Sequence, residues 1–409
     1  MRLLTVDSLI NAREKLIEAV GAKPCPTERI AITEALGRIL AEDIKAPLMV
    51  PDFRRSTVDG YAVLAKDTWG ASESVPVFLE VIGETYMGCD TQYHIAAGEC
   101  VYVPTGGILP SGADGVVMVE YCEIFDDNHI AVYDAVAQGK NIVEIGEDTK
   151  VGDLLLTKGA KIEAKNIATL AAVGVAQVNV FEPLTVAIFS TGDELVATTE
   201  KRQMGQIFDI NTYGLRALAM KNGMQVKVNH IIKDDKELLS KAVRKAMAEN
   251  DVVLVSGGSS QGKKDVTEAV LDEVATPGVF THGLSLKPGK PTILGYDEKS
   301  QTILAGLPGH PVAAMLVFEL LIIWLNRRRF AMKESLAFPA TMETNLASAP
   351  GRATCQMVKL IKGESGYIAR PIFGKSGLIT TLSEADGYVI IDMNKEGIVE
   401  GEFVEVHLL

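Results

Sequence analysis

Basic charge is the first shortage: 40 lysines and arginines stand against 53 aspartates and glutamates, a net charge of −13. A broad positive field is what draws a protein onto nucleic acid or an anionic membrane, so neither is expected as a partner. Cysteine is scarce as well. Cys25, Cys89, Cys100, Cys122 and Cys355 are scattered, odd in number and form no C-x-x-C pair. That excludes a disulfide framework or a zinc cluster and fits a reducing cytoplasm. Long apolar runs are missing: the longest, residues 312–325, is too short to span a bilayer and carries Glu319. It reads as a buried core helix or a dimer-interface helix. Residues 1–15 mix charged and apolar types and lack the apolar core of a secretory leader.

What is present is ordinary for a globular protein, with 47% apolar and 23% charged residues. The 409 residues suggest two to four domains. Residues 6–20 and 33–43 read as helices. From 46 to 139, short Val/Ile/Tyr-rich runs (75–82, 100–104, 115–124, 129–134) alternate with Gly/Asp/Pro turns, the texture of a small all-β unit. Helical character returns over 140–180, so the β unit is expected to be inserted into a helical linker domain, 1–45 plus 140–182. Residues 183–328 alternate strand and helix, the βαβ pattern of an open, mainly parallel α/β sheet. Residues 336–409 read as a second β unit. The expected fold class is therefore multidomain α/β plus β.

The stretch 252–267, V-V-L-V-S-G-G-S-S-Q-G-K-K-D-V-T, holds the sharpest local signal. A buried-strand run stops at a double glycine and a helix follows, an arrangement that brings backbone N–H groups and a helix N-terminus to an anion. The pattern Gly257-x-x-x-x-Gly262-Lys263 matches a nucleotide hydrolase phosphate loop up to its last position. There Ser or Thr must hold Mg²⁺, and Lys264 cannot. The remaining readings are a plain structural turn, or a phosphate- or pterin-binding loop whose metal carboxylate is Asp265.

Ligands of open α/β sheets bind beyond the carboxyl ends of the strands. Three further segments fall there: Ser190-Thr191-Gly192-Asp193-Glu194, Lys287-Pro288-Gly289-Lys290-Pro291, and Gly306-Leu307-Pro308-Gly309-His310-Pro311. Together they supply carboxylates (Asp193, Glu194, Asp265) and cations (Lys263, Lys264, Lys287, Lys290). That mixture suits an oxyanion held beside a hard divalent ion such as Mg²⁺. His310 either caps the following helix or touches ligand, and no second histidine at metal spacing accompanies it. In the β unit, residues 54–62 resemble no strand. They read as a loop exposing Asp59, or as an ordinary Asp-Gly turn.

Seven separated motifs, in order, resemble the molybdopterin molybdenumtransferase family (MoeA and the C-terminal domain of gephyrin). They are S-T-V-D-G-Y-A at 56–62, P-T-G at 104–106 with L-P-x-G-A-D at 109–114, and G-E-D at 146–148. S-T-G-D-E-L at 190–195, S-G-G-S-S-x-G-x-x-D at 256–265, K-P-G-K-P at 287–291 and G-L-P-G-x-P at 306–311 follow. Arg352 and Gly374-Lys375-Ser376 extend the likeness into the final β unit, so it covers essentially the whole chain.

The resemblance implies a four-part architecture, with an α/β domain of molybdopterin-binding type at 183–328, an inserted β domain at 46–139 and a barrel-like C-terminal β domain at 336–409. It implies insertion of molybdenum from molybdate into adenylylated molybdopterin, giving molybdenum cofactor and AMP, with Mg²⁺ as cofactor. It also implies a homodimer whose cleft the partner chain completes, and contacts with a molybdopterin-adenylylating enzyme and apo-molybdoenzymes. Asp59, Glu194 and Asp265 map to catalytic positions, and Asp193, Glu194 and Asp265 to the metal. Substrate positions are Thr105, Ser190, Thr191 and Gly192, then Ser256, Gly257, Gly258 and Ser259, and Pro308, His310 and Pro311. Lys287, Lys290, Arg352, Lys375 and Ser376 map to the molybdate pocket. The family's usual G-L-P-G-N-P-V-S reads G-L-P-G-H-P-V-A here, so His310 replaces an amide and Ala313 a hydroxyl. A tungsten-inserting variant and a P-loop-like nucleotide hydrolase are the alternatives.

Overall fold

Along the Thr185–Thr191 strand the side chains alternate between two cores, as the two-residue period of an extended chain requires. Val186 and Ile188 enter one core with Val252, Leu254, Ile303 and Ala305. Ala187 and Phe189 enter the other with Val253, Val255 and Leu304. A sheet apolar on both faces must be covered on both, and here it is. The helices Leu9–Val20, Asn211–Lys221 and Pro311–Val317 pack on the first face. Lys236–Met247 and Val266–Val274 pack on the second. The computed structural model describes residues 6–21, 24–257, 266–333, 337–348, 350–364 and 366–409.

The strand order in this sheet is Gln225–Ile232, Thr185–Thr191, Val252–Ser256, Thr302–Leu307, Ile293–Asp297, Pro277–His282. The first three junctions are parallel and the last two antiparallel. The Ile293–Asp297 strand meets its neighbour through a turn with Gln301 at φ 60°. That link is far too short for the crossover a parallel pair needs. Pro311 opens the next helix, which continues as a π-helical turn, Phe318–Ile323, into Trp324–Arg329. Apart from Glu319 its 312–325 stretch is apolar, and most of that stretch is buried within this one chain. The run at 312–325 is therefore a core helix, and its apolar surface gives no argument for a dimer. Among the described residues no helix is long and apolar enough to cross a membrane.

The inserted β sheet runs Gly115–Met118, Gly60–Val63, Glu99–Val103, Val77–Glu84, His129–Val132, Cys122–Ile124. One expectation fails here: Gly60-Tyr61-Ala62 belong to an inner strand rather than a loop. Glycine makes that pairing possible, since a Cβ at residue 60 would lie 2.0 Å from the Val117 carbonyl oxygen. The expected helix at 33–43 is also absent. A 3-10 turn at Ile32–Glu34 is followed by Gly37 at φ 79°, and Ile39 and Leu40 then bridge to Lys161 and Val180. Flanking segments pair as antiparallel ladders, Thr27–Ala31 with Gln177–Phe181 and Ile44–Lys45 with Leu154–Leu156, so this part is less helical than its sequence suggests.

At the C-terminus five strands close a ring: Ala353–Gly363, Gly366–Pro371, Phe338–Met342, Phe403–Leu408 and Gly387–Ile391, which returns to Ala353–Gly363. Closure leaves no free edge within the ring. A sixth, two-residue strand, Leu286–Lys287, joins it from outside in parallel register with Ala353 and Thr354. Phe318 is the largest wholly buried side chain and sits under the main sheet. Phe318→Ala should cost about 3–5 kcal/mol in denaturant unfolding, the range for emptying a packed aromatic site. A loss below about 1 kcal/mol would show that this helix is not seated as described.

Candidate active site

The parallel strands end at one edge, and each delivers a polar loop there. Thr185–Thr191 leads into Gly192, Asp193 and Glu194; Gln225–Ile232 into Asp234; Val252–Ser256 into Gly257; Thr302–Leu307 into Pro308–His310. They enclose a cavity of about 690 Å³ lined by Thr191, Glu194, Asp234, Gly257, Pro308, His310 and Pro311, with Ile207 and Phe208 as an apolar side. Gly257 has φ 114°, and a Cβ there would stand 2.2 Å from the Thr191 carbonyl oxygen. Only glycine lets these two loops touch, which is the physical content of the first glycine in the 256–265 motif. Gly258, Ser259, Lys263, Lys264 and Asp265 lie outside the described residues.

The floor is a hydrogen-bonded lattice. Asn211 Nδ2 donates to Ser256 Oγ (2.7 Å) and to the Gly309 carbonyl (2.8 Å), and Ser256 Oγ donates to the Pro308 carbonyl (3.2 Å). Ser190 Oγ lies 2.9 Å from Asp209 Oδ1 and 2.8 Å from Thr212 Oγ1, so its hydroxyl serves the floor. Four buried side-chain polar atoms among the described residues lack a hydrogen-bond partner, and two are here: Thr191 Oγ1 and Asn211 Oδ1. Each such orphan costs ~1–3 kcal/mol, a cost that concentrates where a ligand binds.

The rim is acidic. The Asp234 backbone N–H donates to Asp193 Oδ1 at 3.3 Å. Although Asp234 is open on one side, desolvation by its surroundings raises its pKa, and the charges of Asp193 and Glu194 raise it further. Thr191 Oγ1 opposes that rise from nearby without making a well-formed bond. Among the described residues no group of three or more His, Cys, Asp or Glu side chains could hold a metal ion. The carboxylates beside the orphaned Thr191 hydroxyl oxygen would therefore suit a hard cation such as Mg²⁺ only with a further ligand, and the motif's Asp265 lies outside the described residues.

A second cavity, again about 690 Å³, opens between this edge and the barrel. Lys287, His310, Thr354, Gln356, Lys375 and Ser376 supply its polar groups. Lys287 is placed there by the ladder that binds its strand to Ala353–Gly363. Cys355 also lines it, but burial pushes that thiol up to about 12, so it is no nucleophile. Lys290 and Arg352 are exposed and line neither cavity. His310 lines both cavities, and its Nδ1 is 2.8 Å from Ser376 Oγ.

Asp59 and Thr105 line neither cavity. They lie in the inserted β unit, where Asp59 Oδ1 accepts from the Thr105 backbone N–H (2.6 Å) and hydroxyl (3.0 Å). Those two bonds hold the exposed Asp59 carboxyl below its ordinary pKa, the backbone donor having the larger effect.

Family profiles cover most of the sequence: the MoeA N-terminal region (domain I and II) at 7–174, the "Probable molybdopterin binding domain" at 187–327 and the MoeA C-terminal region (domain IV) at 339–409. The molybdopterin molybdenumtransferase of Haemophilus influenzae is 32% identical over all of both chains. A Methanocaldococcus jannaschii protein named for molybdopterin biosynthesis is 38% identical, over 93% of this chain and 92% of that one. The crystal structure of a molybdopterin biosynthesis MoeA protein of Pyrococcus horikoshii superposes with a TM-score of 0.83 at 36% identity, covering 99% of each chain.

The chain belongs to the MoeA family.

Asp234 and Asn211 were not singled out in the sequence. In this MoeA-family chain the signal for Asp234 was its place just beyond the Gln225–Ile232 strand, at the same carboxyl edge as the glycine motifs. Asn211, at the start of a helix, looked like an ordinary helix-start residue. A carboxylate whose folded pKa is raised favours folding fully below its unfolded pKa, and that contribution is lost as pH rises through the folded value. Mg²⁺ should offset the loss. Its addition is expected to raise the thermal midpoint more at neutral than at mildly acidic pH, and Asp234→Asn should remove most of that difference. Equal Mg²⁺ shifts at both pH values would dissociate the cluster from metal binding.

Proposed function

We propose that this chain inserts molybdenum, taken from molybdate, into adenylylated molybdopterin, releasing AMP and leaving molybdenum cofactor. It is an enzyme of molybdenum cofactor biosynthesis: molybdopterin molybdenumtransferases of Haemophilus influenzae and Bacillus subtilis are 32% and 31% identical over nearly their full lengths. The observation that carries the residue assignments is the pair of similar cavities meeting at His310, one rimmed by carboxylates and the other furnished with lysines.

The Gly257 loop, with Pro308, Gly309 and Pro311, holds the pterin nucleotide, and Phe208 and Ile207 cover its apolar faces. Mg²⁺, held by Asp193 and Glu194 with Asp265, would screen the phosphoanhydride charge. Lys287, Lys375 and Ser376 take molybdate in the adjoining cavity through charge-assisted hydrogen bonds. Fixing both anions side by side and lowering their repulsion is the catalytic task these groups can perform. Lys290 and Arg352 serve the approach of the oxyanion from outside. Asp59 and Thr105 act from the β unit of a partner chain in a cytoplasmic homodimer, consistent with their absence from both cavities of their own chain. A molybdopterin-adenylylating enzyme would supply the substrate, and apo-molybdoenzymes would receive the product.

Lys287→Ala should raise the half-saturating molybdate concentration for AMP release about tenfold, the scale of one lost charge-assisted bond, with rescue by excess molybdate. Loss of AMP affinity with unchanged molybdate dependence would reverse the two cavity assignments. Mixing Asp59→Asn chains with Glu194→Gln chains should restore part of the activity that each lacks alone. No recovery in a proven mixed dimer would rule out a shared cleft.

A further inference from the structure

Among the described residues, His310 alone lines both cavities. Its two ring nitrogens differ in their partners. Nδ1 is held by Ser376 Oγ at 2.8 Å, and the Val312 backbone N–H, which donates to the Ser376 carbonyl at 3.3 Å, fixes that loop in turn. Nε2 has no protein partner among the described residues. The residue beside it is Gly377: a Cβ built there would stand 3.6 Å from His310 Cδ2 and 3.7 Å from Nε2. Those are ordinary contact distances, and Gly377 is not in the left-handed region. With Cγ at 3.9 Å the three ring distances are nearly equal, so position 377 faces the flat side of the ring, and alanine would pack there without strain and clear of the in-plane Nε2–H direction.

We infer that His310 is the hand-over ligand between the cavities: its Nε2–H, which no described residue engages, hydrogen-bonds the molybdate oxyanion as it passes from the lysine side to the pterin side. This rests on the proposed assignment of the two cavities. In the tautomer that donates from Nε2, Nδ1 accepts the Ser376 hydroxyl proton. Lys287 and Lys375 stand on one side of the ring, and Glu194, Asp209 and Asp234 on the other. A carboxylate at the border would repel the oxyanion, and a lysine there would trap it on the entry side. A neutral donor does neither. The same geometry makes Ser376 a positioning residue, acting through the histidine ring as well as on substrate.

The test compares His310→Ala, His310→Gln and Gly377→Ala with the unaltered protein. Three quantities are read: half-saturating molybdate for AMP release, AMP affinity by calorimetry, and molybdate binding by equilibrium dialysis without pterin. His310→Ala should raise the half-saturating molybdate concentration about tenfold, as one charge-assisted bond predicts, with AMP affinity unchanged. His310→Gln keeps an N–H near the Nε2 position and should stay within about threefold of the unaltered protein. Gly377→Ala, which packs on the ring face and leaves Nε2–H open, should stay within about threefold of the unaltered protein. The inference is overturned if His310→Ala is indifferent, if His310→Gln is as poor as His310→Ala, or if the losses fall on AMP affinity. If the unaltered protein binds molybdate and the two His310 variants bind it equally well, this inference fails alone. If the unaltered protein binds no molybdate, the cavity assignment fails with it.

Discussion

The parallel pairing of Thr185–Thr191 with Gln225–Ile232 on one side and Val252–Ser256 on the other is the constraint from which the site follows. Parallel strands end at the same edge, so every loop that leaves them is delivered to one place. The register carries this to the last residue: Ser190 lies opposite Ser256, and Ser256 opposite Leu307. Gly257 and Pro308 then leave side by side, and the close approach of Gly257 to Thr191 seals the arrangement. A one-residue slip would move each strand's inward set to the other face, exchanging Val186 and Ile188 for Ala187 and Phe189 between two differently shaped cores. The packing of the two helical layers thus protects the geometry of the loops.

The second constraint joins the main sheet to the barrel. The Leu286–Lys287 strand leaves the α/β unit and pairs with Ala353 and Thr354, so one lysine is carried by two units at once. His310 and Ser376 make the reciprocal contact from the other direction. The lysine-lined cavity exists only because these contacts hold the barrel against the edge. Val358 and Val406 pack in the core of that barrel, away from the cavity lining.

Much of this was legible in the sequence, for reasons specific to each element. Runs such as 185–189 and 251–255 are apolar on both faces and end at glycine motifs, which marks buried parallel strands and their ligand loops together. The motifs at 190–194, 256–257 and 306–311 do meet at one sheet edge, where the close approach of Gly257 to Thr191 requires glycine. The failures are equally physical. Residues 33–43 have helical composition, but backbone pairing of Ile39 and Leu40 with distant strands overrides it. Gly60-Tyr61-Ala62 looks like a turn, because nothing local announces that the Val117 carbonyl needs an absent side chain. Asp234 and Asn211 carry no motif of their own. Their roles come from neighbours at 193–194 and 256–309, which only folding brings near.

Net charge and site charge pull in opposite directions, and the structure resolves that by distance. A chain of net charge −13 repels an oxyanion at long range, but salt screens that field beyond ~8 Å at physiological ionic strength. Within that radius, Lys287 and Lys375 dominate one cavity, while Asp193, Glu194 and Asp234 form the rim of the other. The acidic rim is unfavourable to an anionic ligand on its own, and its members are already unfavourable to one another, as the upward shift of Asp234 records. A cation answers both repulsions at once. Under the proposed assignment, the same carboxylates that would exclude the pterin nucleotide make its capture conditional on a metal, and the two anions are held in adjoining cavities without either set of charges cancelling the other.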